Sequence, residues 1–319
     1  MFKLKSLKLK ILIIFLIESI TITLIILFSS QQFFIEVLKK NIDNNAKKIV
    51  NSYSNKIGNW FYERMNEISI YASINEVKSM QWDKMETFLK KEAEKKKDTY
   101  LFFFVSDSNG NYNTTLKRNA GTISDREYFK KIISEGVSLV SEPVISKSTG
   151  KQISVVASPI RNDKNEVVGI MAGTLDLIKL YKWIGDFKLD HTDSYSYIID
   201  ANGLVITHPN INYIMQLDLS LEHNNFDKKV LNKMLTSNEG VVHYDFNGIK
   251  SFAYFKEIPN TSNWKIVTRI PDNYLFQSVY ETRNKLLIIS IAFIIFATLF
   301  GLWYSNSIAK PIIQLKNRF

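Results

Sequence analysis

Two kinds of hydrophobic patterning divide the chain. Residues Ile11–Phe28 and Leu286–Tyr304 are near-continuous apolar runs. At ~1.5 Å per residue, a helix over either run spans roughly the ~30 Å hydrocarbon core of a bilayer. The second run carries no charge and ends in Trp303 and Tyr304, whose amphipathic rings favour the membrane interface. The first holds Glu18 near its centre, where comparable charges cost about 2.5–3.5 kcal/mol to insert. Glu18 is expected either to make a polar contact between the helices of a dimer or to stay protonated or snorkelling. The stretch LFSSQQFF that follows lacks a small-residue cleavage site, so this first run is expected to remain as an anchor.

Between the runs the pattern is that of soluble protein. From Phe34 to about Tyr71, the residues Leu38, Ile42, Ala46, Ile49, Tyr53, Ile57, Trp60 and Ile68 recur mostly at spacings of three and four. That predicts one long amphipathic stalk helix, more than ~50 Å at 1.5 Å per residue, with Gly58 its one weak position. A second helix is expected over Asp83–Lys97. The period then falls to two. Strands are expected at Tyr100–Ser106, Asn111–Leu116, Gln152–Pro159 and Val167–Leu175, with turns at Asp107–Gly110 and Asn162–Asn165. The arrangement then repeats: Tyr195–Ile199, the turn Asp200-Ala-Asn-Gly203, Leu204–Thr207, the hairpin Val241–Phe246 and Ile249–Phe255 across Asn247-Gly248, and Trp264–Ile270. One Asp-x-Asn-Gly is only a turn. Two copies, each followed by more antiparallel strands, imply two similar sheet domains in tandem.

Charge fixes the expected orientation. The net charge is +10, but Lys3, Lys5, Lys8, Lys10, Lys310, Lys316 and Arg318 all lie outside the two apolar runs. By the positive-inside rule both termini are cytoplasmic, and the region from about Ser30 to Lys285 faces outward. A basic balance held in flanking segments gives no basic stripe on a folded domain, so no nucleic-acid partner is expected. The chain has no cysteine, which excludes disulfides and thiolate chemistry. The histidines His191, His208, His223 and His243 show no metal-ligand spacing, and the chain holds no G-x-S-x-G, P-loop or G-x-G-x-x-G. No catalytic residue, metal or cofactor is expected.

The segments Ile123-Ser-Asp-Arg-Glu-Tyr-Phe-Lys130, Ser141-Glu-Pro-Val-Ile-Ser-Lys-Ser-Thr-Gly150 and Val167-Val-Gly-Ile-Met-Ala-Gly-Thr-Leu-Asp176 resemble the double Cache family of bacterial receptor sensor regions. So does the order of anchor, stalk, two sheets and anchor, and the stretch Ile308-Ala-Lys-Pro-Ile-Ile-Gln-Leu315 resembles the opening of a HAMP linker. The resemblance implies an α+β fold: a long N-terminal stalk helix plus two tandem PAS-like antiparallel sheets, flanked by two transmembrane helices. The expected divisions are 1–10 cytoplasmic, 11–29 first transmembrane helix, 30–98 stalk and second helix, 99–187 membrane-distal sheet, 188–284 membrane-proximal sheet, 285–304 second transmembrane helix, and 305–319 the start of a HAMP-like linker, too short to complete one.

The residues of the distal segment point to binding. Ser124 or Asp125 is expected to cap a helix, with Glu127 three residues beyond Ser124 as in a capping box. Such an N-terminus favours anions, and Arg126 can clamp a carboxylate. Tyr128 and Phe129 offer ring faces, with Phe129 also a core candidate. Tyr112 and Thr114 on the preceding strand can line the same pocket. Asp176 can accept from a ligand amine or cap the helix that follows it. Some members of the double Cache family carry an amino-acid motif of Arg, Trp-Tyr, Tyr and Asp. Arg126 and Asp176 match it, Tyr128 and Phe129 replace Trp and Tyr, and Val144 stands where the later Tyr belongs. The resemblance thus implies a small polar metabolite as ligand, an amino acid or another carboxylate, sensed outside the cell membrane by a homodimer. The parent is expected to be a chemotaxis receptor, with a diguanylate cyclase or histidine kinase as alternatives, and a non-sensory protein-binding domain as the reading from another class.

Overall fold

The structure, a computed structural model, describes residues 7–116, 121–184, 193–224 and 226–316. The expected boundary between the two sheets at 187/188, and His191, lie outside these residues. The chain divides into two compact units, Met1–Asn44 with Asn273–Phe319, and Asn45–Asp272.

The first unit is built from the N-terminal part of α1 (Leu7–Ser73) and from α7 (Asp272–Lys316). Its two helices run antiparallel. Phe15 meets Tyr304 and Phe300 edge-on, at 5.6 and 6.5 Å between ring centroids. One end of the pairing thus joins Phe15 to the late part of α7, while at the other Leu27, Gln31 and Phe34 surround a cavity of about 140 Å³ with Val279, Arg283 and Leu286. Large apolar side chains, among them Leu24, Phe28, Ile288 and Phe296, lie exposed. Glu18 is exposed with them, whereas Ser19 and Thr23 are buried. The hydroxyls of Ser19 and Thr21 donate to the carbonyls of Leu16 and Ile17, which satisfies them within the helix itself. The apolar run and the stalk, expected as separate elements, belong to the one helix α1. Between Phe28 and Ser73 there is no proline and only Gly58 to weaken it.

The second unit carries the two sheets. The first contains β1 (Phe103–Asp107), β2 (Asn111–Thr114), β3 (Gly121–Thr122), β4 (Leu139–Val140), β5 (Val144–Ile145), β6 (Gln152–Arg161) and β7 (Val167–Asp176), in the order β3-β2-β1-β7-β6-β4, with β5 also on β6. The second contains β8 (Tyr195–Ile199), β9 (Val205–Thr207), β10 (Glu239–Phe246), β11 (Ile249–Glu257) and β12 (Lys265–Pro271), in the order β10-β11-β12-β8-β9. The hairpin strand, first strand, last strand and penultimate strand follow one another identically in both sheets, which is the duplication that the repeated Asp-x-Asn-Gly turns imply. In each turn the Asp carboxylate accepts from the backbone N–H groups two and four residues on, at 3.0 and 2.8 Å from Asp107 and 2.9 and 2.8 Å from Asp200.

Each sheet packs one face on a short helix. Phe104, Tyr128, Phe129, Ile132 and Ile153 form the core of the first sheet under α4 (Glu127–Glu135). Val205, Leu231, Met234, Ala253 and Val267 form the core of the second sheet under α6 (Lys228–Thr236), which Asp227 caps through the N–H groups of Lys229 and Val230. The opposite faces meet α1 and α3 (Trp82–Lys95), the latter following the single turn α2 (Asn75–Lys78): Tyr71 stands edge-on to Phe103 at 5.6 Å and Phe61 to Trp264 at 5.4 Å. The buried stripe of α1 is Ala46, Val50, Ile57, Phe61 and Ile68. Ala46, Ile57 and Ile68 are the residues expected, while Val50 and Phe61 are buried in place of Ile49 and Trp60. Gly58 is required by packing: a Cβ there would lie 2.9 Å from both Cδ and the carbonyl oxygen of Pro259.

Candidate ligand-binding site

The site is assembled around the β1–β2 turn. Gly110 has φ +87°, which a glycine adopts without penalty, and its bare Cα lets the chain at Ser124 approach closely. The N–H of Ile123 then donates to the Gly110 carbonyl at 2.9 Å. This contact sets the position from which α4 departs.

The helix starts later than the capping-box reading predicts. Its N-cap is Arg126, in extended conformation and without a side-chain cap, so neither Ser124 nor Asp125 caps it. Their side chains have other partners. The Ser124 hydroxyl lies 3.0 Å from that of Thr122. The Asp125 carboxylate accepts from Lys147 at 2.6 Å, which holds its pKa below the usual carboxylate range.

Beneath this junction lies a cavity of about 30 Å³, room for a water or two. Tyr112, Arg126, Tyr128 and Val144 stand on its wall, with Phe102, Phe104, Ile153, Val155 and Thr174 behind them. Burial raises the pKa of the Tyr128 hydroxyl. The other three candidates lie off the wall. Phe129 is core, and the Thr114 hydroxyl accepts from the Leu116 N–H at 3.3 Å. Asp176 caps α5 (Leu177–Ile184), accepting from the Ile178 N–H at 2.9 Å, with Lys151 3.7 Å from its other oxygen.

Residues the sequence reading did not single out close the cavity. The loop after β5 brings Ser146, Lys147 and Ser148 onto its wall. Arg126 donates through Nη2 to the Ile145 carbonyl at 2.9 Å, and the Tyr112 and Ser148 hydroxyls lie 2.9 Å apart. Lys147 donates to the Thr122 carbonyl at 2.9 Å besides Asp125. These residues fall within the family-like segment Ser141–Gly150, but nothing in a Ser-Lys-Ser-Thr-Gly string says that it folds back over a pocket. On the other side, Arg126, Tyr128 and Val144 also border an open groove of about 700 Å³ that reaches Lys130, Glu142 and Ser262. Arg126 is therefore shared between a small cavity and a wide groove.

Glu142 links the two sheets. It accepts from Trp264 Nε1 at 3.2 Å, and Ser262 donates to the neighbouring Val140 carbonyl at 3.2 Å. Burial, with a smaller push from Asp200, raises the Glu142 pKa to about 7.

A family model for the Cache domain matches residues 34–279. Among curated proteins, methyl-accepting chemotaxis protein PscA of Pseudomonas syringae pv. tomato is 24% identical over 91 residues, which take in 28% of this chain and 14% of that protein's length. Among solved structures, the ligand-binding domain of the Pseudomonas aeruginosa PAO1 amino acid chemoreceptor PctB in complex with L-Arg aligns with a TM-score of 0.60 at 17% identity, over 74% of this chain and 97% of that one. The ligand-binding domain of the Pseudomonas fluorescens chemoreceptor CtaA in complex with L-isoleucine aligns at 0.61 and 18% identity, over 76% and 98%. The extracellular domain of mmHK1S-Z3, a protein assigned to the histidine kinases, aligns at 0.62 and 13% identity, over 76% and 98%. At these identities the structural likeness concerns the fold. The family match extends from α1 through both sheets into α7, and the chain belongs to the Cache domain family.

Proposed function

We propose that the chain is the sensor region of a membrane receptor, and that its distal sheet binds a small carboxylate, with an α-amino acid the first class to test. The observation that carries this is Arg126, a guanidinium at the start of α4 flanked by Tyr112 and Tyr128, on the seam between a cavity and a groove. Arg presents a planar fork that matches a carboxylate in two parallel hydrogen bonds. The neighbours PctB and CtaA were solved with amino acids, which supports the ligand class for this chain.

Small-molecule sites enclose about 300 Å³ or more, so the cavity must open to admit a ligand. The strap Ile145–Gly150 is the segment to move, because its clasps to Arg126, Tyr112 and Asp125 are three polar contacts at the rim. A carboxylate would replace the Ile145 carbonyl on Arg126 with a stronger, charge-assisted partner. Ligand binding then shifts the balance between two packings only by its difference in affinity for them. The shift would pass through Pro271–Arg283 to the second apolar segment as a movement of about 1–2 Å.

Both apolar segments cross the cell membrane in this reading, with both termini cytoplasmic and the sheets outside. The antiparallel pairing of α1 with α7 and the flanking lysines support it. The receptor acts as a homodimer in which the exposed Glu18 makes a polar contact. Chemotaxis is the first output to test, favoured by the likeness to PscA. A histidine kinase sensor is the second reading, favoured by the equal structural likeness to mmHK1S-Z3.

The test is calorimetric titration of the purified chain with L-amino acids and small organic acids, followed by Arg126→Ala. Loss of a hydrogen bond to a charged group costs about 1.5–3 kcal/mol, so the hit is expected to bind at least tenfold more weakly. A hit whose affinity does not change with Arg126→Ala places the ligand elsewhere.

A further inference from the structure

The two sheets share one strand order, so their residues correspond position by position. Aligning the turns at Asp107 and Asp200 sets Phe102 and Phe104 against Tyr195 and Tyr197. The strand registers then set Thr174 of β7 against Arg269 of β12, and Ile153 and Val155 of β6 against Ser251 and Ala253 of β11. In the distal sheet these positions are the back wall of the cavity. In the proximal sheet the same wall is polar and carries a cation.

That cation is buried. Arg269 is 9% exposed. Its Nε donates to the Ser251 hydroxyl at 2.9 Å and its Nη1 to the Tyr195 hydroxyl at 3.2 Å, with the guanidinium carbon 5.4 Å from the Tyr195 ring centroid. Both partners are neutral. His208 stands edge-on to Tyr195 at 5.0 Å, and burial keeps its pKa down at about 4, so it is uncharged at neutral pH. Among the described residues, no carboxylate lies within ion-pair distance of Arg269. The other buried cation of the same strand is treated differently: Lys265, 2% exposed, holds Glu257 at 2.6 Å. A buried charge without a counter-charge is costly, and a bound anion removes that cost.

We propose that the proximal sheet contains a second ligand site, selective for a small anion such as a carboxylate or an oxyanion, with Arg269 as its charged group and Tyr195 and Ser251 fixing the guanidinium. The distal site draws its cation from the start of a helix, and this one draws it from the sheet. Tyr244, paired across β10 and β11 with Ser251, also lines an open groove of about 670 Å³.

The experiment uses the full chain in lipid nanodiscs, with sodium acetate and sodium phosphate titrated separately at constant ionic strength and thermal unfolding as the readout. At least one anion is expected to raise the midpoint saturably in the wild type and in Arg126→Gln, and, with the distal site disabled by Arg126→Gln, at least tenfold less tightly once Arg269→Gln is added. If Arg269→Gln fails to fold by near-ultraviolet circular dichroism, Tyr195→Phe decides, since it removes one hydroxyl from the guanidinium's support and is expected to weaken binding severalfold. The proposal is overturned if neither anion acts saturably on the wild type, if Arg126→Gln abolishes the effect, or if the deciding variant leaves it unchanged. The Arg126 arm separates this site from the distal one, so either can fail alone.

Discussion

Half-buried Glu142 and buried Lys265 are ionisable residues whose partners make different predictions. The Glu142 carboxyl meets Trp264 Nε1, but burial outweighs that bond and raises its pKa to about 7. The folded chain therefore binds more protons than the unfolded one between pH ~4.5 and ~7, and this residue's stabilisation fades as pH rises through that window. Glu142→Gln keeps an acceptor for Trp264 and removes the charge. It is expected to stabilise the protein at pH 8 by on the order of 1–2 kcal/mol, after allowance for solvent screening at a half-buried site, and to change little at pH 5. Thermal unfolding of both proteins at the two pH values measures this. The comparison must be between variants, because His208, with its pKa lowered to about 4, contributes an opposite trend as pH falls below 6.5. For Lys265 the prediction is an asymmetry. Removing only its partner, in Glu257→Gln, strands a buried ammonium and is expected to cost about 2–4 kcal/mol, whereas Lys265→Met is expected to be near neutral in chemical denaturation. Equal losses from both substitutions would show that the pair is worth more than its desolvation.

At the scale of elements, the strands were the most legible part of the sequence, because alternation and turn chemistry agree there. The expected Tyr195–Ile199 is β8 itself, and the other expected strands differ from the observed ones mainly at their ends. The two-residue strands β3, β4 and β5 were not legible, since so few residues carry no period. Helix starts were less legible. Ser124-Asp-Arg-Glu has the composition of a capping box, yet the contact between Gly110 and Ser124 and the bond from Lys147 to Asp125 claim those residues first. The same limit applies to the site. Arg126 and Tyr128 could be named from a motif and Tyr112 from its place on the preceding strand, but the strap that covers them is held by tertiary contacts over 19 to 36 residues of separation. Gly58 shows how tertiary packing reverses a local rule. Within a helix, Gly→Ala is favourable by about 1 kcal/mol. Here the new methyl would stand 2.9 Å from the Pro259 carbonyl and ring, and backbone must move to admit it. Overpacking of this kind costs about 1–3 kcal/mol, so Gly58→Ala is expected to lower the unfolding midpoint despite its better helix propensity. A rise would mean that α1 can step away from the proximal sheet freely.

At the scale of the whole molecule, signalling in the proposed receptor depends on the two apolar helices being partners. Their pairing rests on contacts that are individually weak, a few aromatic edges around Phe15, so it calls for a direct test. The sequence offers a clean one, because the chain has no cysteine and any introduced pair is the only pair. A Cβ at Gly301 would lie 3.4 Å from that of Phe15. Disulfides form at Cβ separations of about 3.5–4.5 Å, so Phe15→Cys with Gly301→Cys sits at the edge of bonding distance without rearrangement. Under mild oxidation in membranes this double variant is expected to cross-link within one chain, read as a mobility shift that reductant reverses. Ile14→Cys with Gly301→Cys is the control, since Ile14 is 55% exposed and is expected to stay reduced or to link between chains. The two outcomes separate different molecules. A Phe15–Gly301 link puts the start of α1 beside the end of α7, which in a bilayer sets both chain ends on one side. A link from Ile14 alone would mean that α7 lies against another face of α1, and the route from Pro271 to the second segment would have to be redrawn. If the first pair forms, its oxidation rate with and without the distal ligand also tests the mechanism. A shift of ~1–2 Å is at least as large as the ~1 Å width of that bonding range, so the rate is expected to change, and a rate unchanged by saturating ligand would leave the sheets without a mechanical path through this helix pair.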